Sequence, residues 1–138
     1  SKLSHPVIIA GLNPPPFLIK EIEKYKHISL KQNCDEEGMK TLIEDAQIHC
    51  LFTSQATGLK LKLLNVLFSG RHVVANPAML SGTSLQKACS IVNTADEYIE
   101  TINNLFSLEF TTKDIAMRKE ICSKMSNTNN TKTLVELI

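Results

Sequence analysis

Three observations predict an α/β fold, a Rossmann-like three-layer sandwich with a mostly parallel sheet of about five strands. Short β-rich runs alternate with helical-period runs five times along the chain. No hairpin signal joins successive strands. The first strand, Val7-Ile8-Ile9-Ala10-Gly11, is a continuous apolar run of the kind buried on both faces of a parallel sheet. Parallel strands need helical crossovers between them, and the alternation supplies these. At 138 residues the chain fits one domain, residues 1–138.

Each element has its own reason. After the first strand, Gly11-Leu12-Asn13 turns the chain, with Asn13 as the expected N-cap and prolines 14–16 in the first helical turn. That helix runs to about Tyr25, with Leu18, Ile22 and Tyr25 on one face. The second strand is expected at His27–Leu30 and is followed by the polar loop Lys31-Gln32-Asn33. A helix then opens at Cys34-Asp35-Glu36-Glu37, its acids favourably placed against the helix dipole, with Met39, Leu42, Ile43 and Ala46 as its buried stripe. The third strand is Ile48–Thr53.

The stretch Ser54–Asn76 comes next and organises the rest. It reads as a polar loop, a helix opening just after Gly58, a turn at Ser69-Gly70 and a fourth strand, His72–Ala75. The helix is apolar nearly all round, interrupted by Lys60, Lys62 and Asn65, which predicts a helix that is buried or packs on a sheet. Asn76-Pro77 is expected to stop regular structure. A fifth, weaker strand falls at Ala88–Val92. Thr94 and Glu97 form a capping box for a helix bearing Ile99, Ile102 and Phe106. Thr111-Thr112 starts another helix, with Ile115, Arg118, Ile121 and Met125 at helical spacing. Thr133–Ile138 adds a last turn or two.

Composition narrows the function classes. A hydrophobic content of 43% and a charged content of 21% are those of an ordinary soluble domain. A net charge of +1 argues against a general nucleic-acid binder, which carries a strong basic excess. The four cysteines form no CxxC or CxxH pair and the four histidines no ligand pattern, so no metal site is expected. Cys50 and Cys89 are expected in strands and in the core. Reduced thiols, no apolar run of membrane-spanning length and no signal peptide before the first strand together predict a cytoplasmic protein. The sequon Asn129-Asn130-Thr131 carries no weight beside these features.

Charge distribution says more than net charge. Residues 46–95 hold no Asp or Glu, although the chain has 14, while Lys60, Lys62, Arg71 and Lys87 fall inside the window. In an open parallel sheet, ligands bind beyond the carboxyl ends of the strands. Four loops qualify: 11–16, 31–34, 54–59 and 76–84. The third is the richest. Ser54, Gln55 and Thr57 offer polar groups, Gly58 permits close backbone approach, and a helix N-terminus follows with Lys60 and Lys62 beside it. These are the ingredients of a phosphate or diphosphate site, although neither GxxxxGK[ST] nor GxGxxG is present. The third and fourth loops carry no acid or histidine for proton transfer, which points to a binder rather than a self-sufficient enzyme.

The run Val7–Gly11, the segment Thr57-Gly58-Leu59-Lys60-Leu61-Lys62-Leu63-Leu64-Asn65 and the segment Ser69-Gly70-Arg71-His72-Val73-Val74 resemble the C-terminal, donor-binding half of GT-B group 1 glycosyltransferases. The loop Asn76–Thr83 is similar to a bacterial, mannosyltransferase-like subset. The resemblance spans Pro6 to Ile138. It implies a UDP- or GDP-linked sugar as donor, no cofactor and no metal. The diphosphate would meet the helix opening at Gly58–Lys60, and the nucleoside would lie against Gly11 and Lys31–Asn33. It implies that Gly58 gives backbone access, Lys60 diphosphate charge, Asn65 a ribose bond and Thr57 a sugar or phosphate bond, with Lys62 and Asn76 as secondary contacts. An N-terminal acceptor domain of the same protein would be the partner, with peripheral membrane association through that domain, and the strand and basic pair that open this half in the family would precede Ser1. Thr57 and Asn65 stand where the family carries two glutamates eight positions apart. The rival readings are a non-catalytic nucleotide- or glycan-binding module and a flavodoxin- or receiver-like contact domain. A receiver would need an acidic pocket, which the acid-free window opposes.

Overall fold

The computed structural model of the chain describes residues 3–56 and 60–123. It divides into two compact units, Ser1–Glu44 and Asp45–Ile138. The fold class is α/β, and every strand pairing is parallel.

In the N-terminal unit, β1 (Val7–Gly11) pairs with β2 (Ile28–Gln32) in register Val7 to Ile28. Between them α1 (Pro16–Ile22) begins with proline at its N-terminus, as expected, and buries Ile22. Asn13 is not its cap. Pro15 holds that position, and Asn13 instead adopts a left-handed conformation (φ 45°), as does Asn33 (φ 51°). Both lie just past the strand ends, where asparagine tolerates this backbone better than most residues. There they tie the two strand ends together: Asn13 N–H donates to Asn33 Oδ1 at 2.9 Å and Asn33 N–H to the Gly11 carbonyl at 3.0 Å. The following helix, α2 (Glu36–Asp45), carries Glu36 and Glu37 in its first turn and takes a cap from Asp35, whose Oδ1 accepts from Gly38 N–H at 2.8 Å. Its apolar residues Met39, Leu42 and Ile43 are half-buried rather than buried.

The C-terminal unit holds most of the core. β3 (Ile48–Leu51), β4 (His72–Ala75) and β5 (Ser90–Ile91) form a parallel sheet in that order. The expected single sheet of about five strands is therefore corrected to one of two strands and one of three. Apolar runs mark a segment as a strand, but they do not say which edge it pairs with. The helix α3 (Leu61–Ser69) crosses from β3 to β4, α4 (Pro77–Leu80) is a single turn, and α5 (Ala95–Phe106) and α6 (Thr112–Ser123) follow β5. Thus Asn76-Pro77 starts a helical turn where an end to regular structure was expected. A 3-10 turn, Gln86–Ala88, takes up the first part of the predicted fifth strand and leaves β5 two residues long.

Burial in α3 is one-sided. Leu63, Val66 and Leu67 are buried, whereas Leu61 is 60% and Phe68 59% exposed, so of the two expectations the helix packs by one face and is not buried all round. With Val73, Val74 and Ala75 of β4 and Leu80 and Leu85, these residues make the core. Each fully buried leucine contributes about 2 kcal/mol of apolar transfer free energy. On α6, spacing places Arg118 on the inward stripe, and Arg118 is buried while Ile115 is exposed. Cys50 is exposed in β3 and Cys89 is half-buried just before β5, so neither is a core residue. All four thiols are free. Met125, Asn129–Thr131 and Thr133–Ile138 lie outside the described residues. No helix among the described residues is long and apolar enough to cross a membrane.

Candidate functional site

The carboxyl edge of β3–β4–β5 is where the predicted site residues should meet. β3 ends at Leu51 and is followed by Phe52–Ala56, and α3 begins at Leu61 with Lys60 as its N-cap. β4 ends at Ala75, and Asn76 leads into α4. β5 ends at Ile91, and Asn93-Thr94 leads into α5.

The helix starts at this edge differ in one respect. At α5 the predicted capping box is present in full. Thr94 Oγ1 accepts from Glu97 N–H at 3.2 Å, and Glu97 Oε2 accepts from the N–H groups of Asn93 (2.6 Å) and Thr94 (3.3 Å). The first bond takes up one first-turn N–H, and the other two hold the Glu97 carboxylate against the helix start, where it repels an incoming anion. At α3 the N-cap is Lys60, which makes no side-chain cap hydrogen bond, and no acidic residue lies in the first turn. Among the described residues, no side chain caps the leading N–H groups of α3, and the helix dipole there favours negative charge. The Lys60 ammonium donates to the Gln55 carbonyl at 3.2 Å, which holds it over the loop that precedes the helix. Lys62 and Asn65 are exposed on the first two turns.

Lys60, Lys62 and Asn65 are thus brought to one helix end. Thr57 and Gly58 fall outside the described residues. Gly11 belongs to the N-terminal unit, at the end of β1. A side chain there would meet open space, so neighbouring packing does not require glycine at that position. Asn76 has a role that its sequence context did not reveal. It is 8% exposed, its Oδ1 accepts from Thr53 N–H at 3.2 Å, and its Nδ2 donates to the Thr53 carbonyl at 2.7 Å. The amide thereby continues the β3–β4 ladder by one rung, in place of the backbone pairing that ends at Leu51 and Ala75. The side-chain amide thus ties the loop after β3 to the loop after β4.

Two aromatic residues at this edge were not singled out from the sequence as site residues. Phe52 is 68% exposed directly after β3, and its ring lies 6.4 Å from that of Tyr98, tilted by 58°. The Tyr98 hydroxyl donates to the Leu51 carbonyl at 3.3 Å, and burial raises its pKa. Phe52 is the last apolar residue of a predicted strand, a position that period alone assigns to the core. Tyr98 was legible in the sequence as a first-turn residue after the capping box.

Among the described residues, no group of three His, Cys, Asp or Glu side chains is placed to hold a metal ion. His72 stands at the amino end of β4, on the opposite edge, and its Nε2 lies 3.0 Å from the Leu108 carbonyl. A carbonyl can only accept, so Nε2 carries the proton. Among the described residues, the loops after β3 and β4 place the Lys60 and Lys62 ammonium groups near the start of α3, with no acid or histidine on either loop. Comparison with known proteins gives no match to a family model, to a curated protein or to a solved structure.

Proposed function

We propose that the C-terminal unit holds the diphosphate of a UDP- or GDP-linked sugar at the start of α3, as the donor-binding part of a retaining hexosyltransferase acting on a glycan or lipid-linked acceptor. The observation that carries this reading is the contrast between helix starts. The α5 start is closed by its capping box, while the α3 start lacks a side-chain cap and is flanked by Lys60 and Lys62. A diphosphate there gains from the helix dipole and from one or two ammonium groups. The resemblance carried by Gly58–Val74 gives the donor class, and the acid-free window from 46 to 95 removes the repulsion that would oppose it. In this reading Asn65 bonds the ribose without charge assistance.

The second reading, a module that binds the nucleotide or a glycan without transfer, is favoured by Thr57 and Asn65, which stand where the family carries carboxylates. Calorimetric titration of UDP and GDP into the chain tests the binding claim common to both. Saturable binding of a nucleoside diphosphate that weakens about tenfold in Lys60→Ala is expected. Failure of both nucleotides to bind sinks the proposal, and binding unaffected by Lys60→Ala moves the site away from α3. Hydrolysis or transfer of hexose from the bound donor by the protein joined to its acceptor domain separates the two readings.

A further inference from the structure

The amino edge of the three-stranded sheet carries a second feature. A hollow of about 160 Å³ opens there, lined on one side by His72, Lys87, Cys89 and Ser90 and on the other by Phe110, Asp114 and Arg118. Its volume is close to that of a cavity that takes a six-carbon ring, roughly 150 Å³. We propose that this hollow is a binding site for a small oxyanion, a carboxylate or a phosphate, received between the buried Arg118 guanidinium, the Lys87 ammonium and the Ser90 hydroxyl.

Arg118 carries the argument. It is 7% exposed, and its guanidinium lies over the Phe110 ring at 4.5 Å from the centroid. Nη1 donates to the Gly70 carbonyl at 2.7 Å and Nη2 to the Arg71 carbonyl. These two bonds use two of the five N–H donors, and together with the Phe110 ring face they stabilise the cation without neutralising it. No carboxylate lies within ion-pair distance of it among the described residues. A buried cation of this kind is costly unless an anion accompanies it.

The groups around it do not close an ion pair with it. Asp114, one helical turn earlier, acts on Arg118 electrostatically, but its hydrogen bonds go elsewhere. Its Oδ2 accepts from Thr111 N–H at 2.8 Å and Thr111 Oγ1 at 2.6 Å, closing the start of α6. The Cys89 thiol is pushed up to about 11 by burial and is neutral at physiological pH. The charges facing the hollow are therefore Arg118 and Lys87 against Asp114, with His72 held by its bond to the Leu108 carbonyl. The balance is positive. Neither the Lys87 ammonium nor the Ser90 hydroxyl makes a hydrogen bond or ion pair among the described residues, so both are free to turn toward a ligand. Phe110 and Met117 give the hollow an apolar wall, which suits an oxyanion attached to a small organic body as well as a free ion.

The test is an NMR titration of the isotope-labelled chain with inorganic phosphate and, separately, with acetate, at constant ionic strength made up with chloride. Saturable shifts centred on the amides of Cys89, Ser90 and Ile91 and on Arg118 Nε are expected with at least one of the two. The arm that saturates assigns phosphate or carboxylate. Lys87→Ala, an exposed substitution that leaves the core untouched, should weaken binding about fivefold, the effect of removing one charge close to an ion in water. Lys60→Ala should leave it unchanged, which separates this hollow from the α3 site. Shifts that rise linearly without saturation, saturable shifts that Lys87→Ala does not alter, or shifts centred on residues 60–63 would each overturn the proposal.

Discussion

At the amino edge of β3–β4–β5, Arg71 and Arg118 are both held by main-chain carbonyls. Arg71 Nη1 donates to Asp45 and Ala46 at 3.0 and 3.1 Å, and Arg118 donates to Gly70 and Arg71. At the carboxyl edge Lys60 donates to the Gln55 carbonyl at 3.2 Å and Lys62 is exposed. In the sequence these residues look alike, since Lys60, Lys62 and Arg71 are cations in one acid-free window. Their surroundings separate them. Guanidinium forks suit the fixed geometry of carbonyls at a turn, whereas ammonium groups on flexible stems stay adjustable near a helix start. Cations of one acid-free stretch are thus fixed by main-chain carbonyls at one edge and adjustable at the other.

Removing each edge's anchor tests that division. Arg118→Leu should have the largest effect, a loss of about 3 kcal/mol, because two carbonyls at the Gly70–Arg71 turn lose charged donors. Urea denaturation reads it directly, and a loss below about 1 kcal/mol would mean that the amino edge does not depend on this guanidinium. Asn76→Ala should cost about 2 kcal/mol through the two lost bonds to Thr53 and should loosen the loop after β3. The same melt, followed by nucleotide titration, tells whether the carboxyl edge loses stability and binding together. Gly70→Ala should cost about 1–2 kcal/mol, since the added Cβ would stand 2.5 Å from His49 Nε2 and 2.9 Å from the Val66 carbonyl oxygen. A neutral outcome in thermal unfolding would show that the imidazole moves aside.

The smallest effect is one of pH. Burial raises the folded-state pKa of Cys89 from 9.0 to about 11 and raises that of the buried Cys122 as well. The unfolded chain then loses these protons first, so stability is full below about 9 and falls as pH climbs toward 11. Urea midpoints measured at pH 8, 9.5 and 10.5 should decline in that order. Cys89→Ser should flatten the decline.

Legibility in the sequence followed the reach of each interaction. β1 and β4 were bounded to the residue because their apolar runs end at Gly11 and at Asn76-Pro77. The Thr94–Glu97 capping box was legible because its partners are three residues apart. The pairing of β3 with β4 and not with a longer sheet was not, because hydrogen-bonding edges leave no periodic trace. Asn76 and Arg118 were misread or passed over for the same reason. Their partners lie 23 residues away for Asn76 and 47 and 48 away for Arg118, and a polar side chain bound to backbone leaves no complementary residue to notice. Within the expected site, Lys60 is the N-cap of α3 and Lys62 lies in its first turn, while the Asn76 amide is engaged with the Thr53 backbone.

The turn at Gly70-Arg71 has a consequence for the order in which the C-terminal unit assembles. His49 of β3 packs against Gly70, Arg71 reaches back to the end of α2, and Arg118 comes in from α6. The β3 and α2 contacts close loops of about twenty-five residues or fewer, whereas the α6 contact closes one of nearly fifty. Loop closure favours the nearer partners, so the turn is expected to form on β3 first and to be locked only when α6 docks. Amide exchange of Gly70, whose N–H donates to the Val66 carbonyl at 2.7 Å, would then report two stages in refolding: partial protection with the sheet and full protection with the last helix.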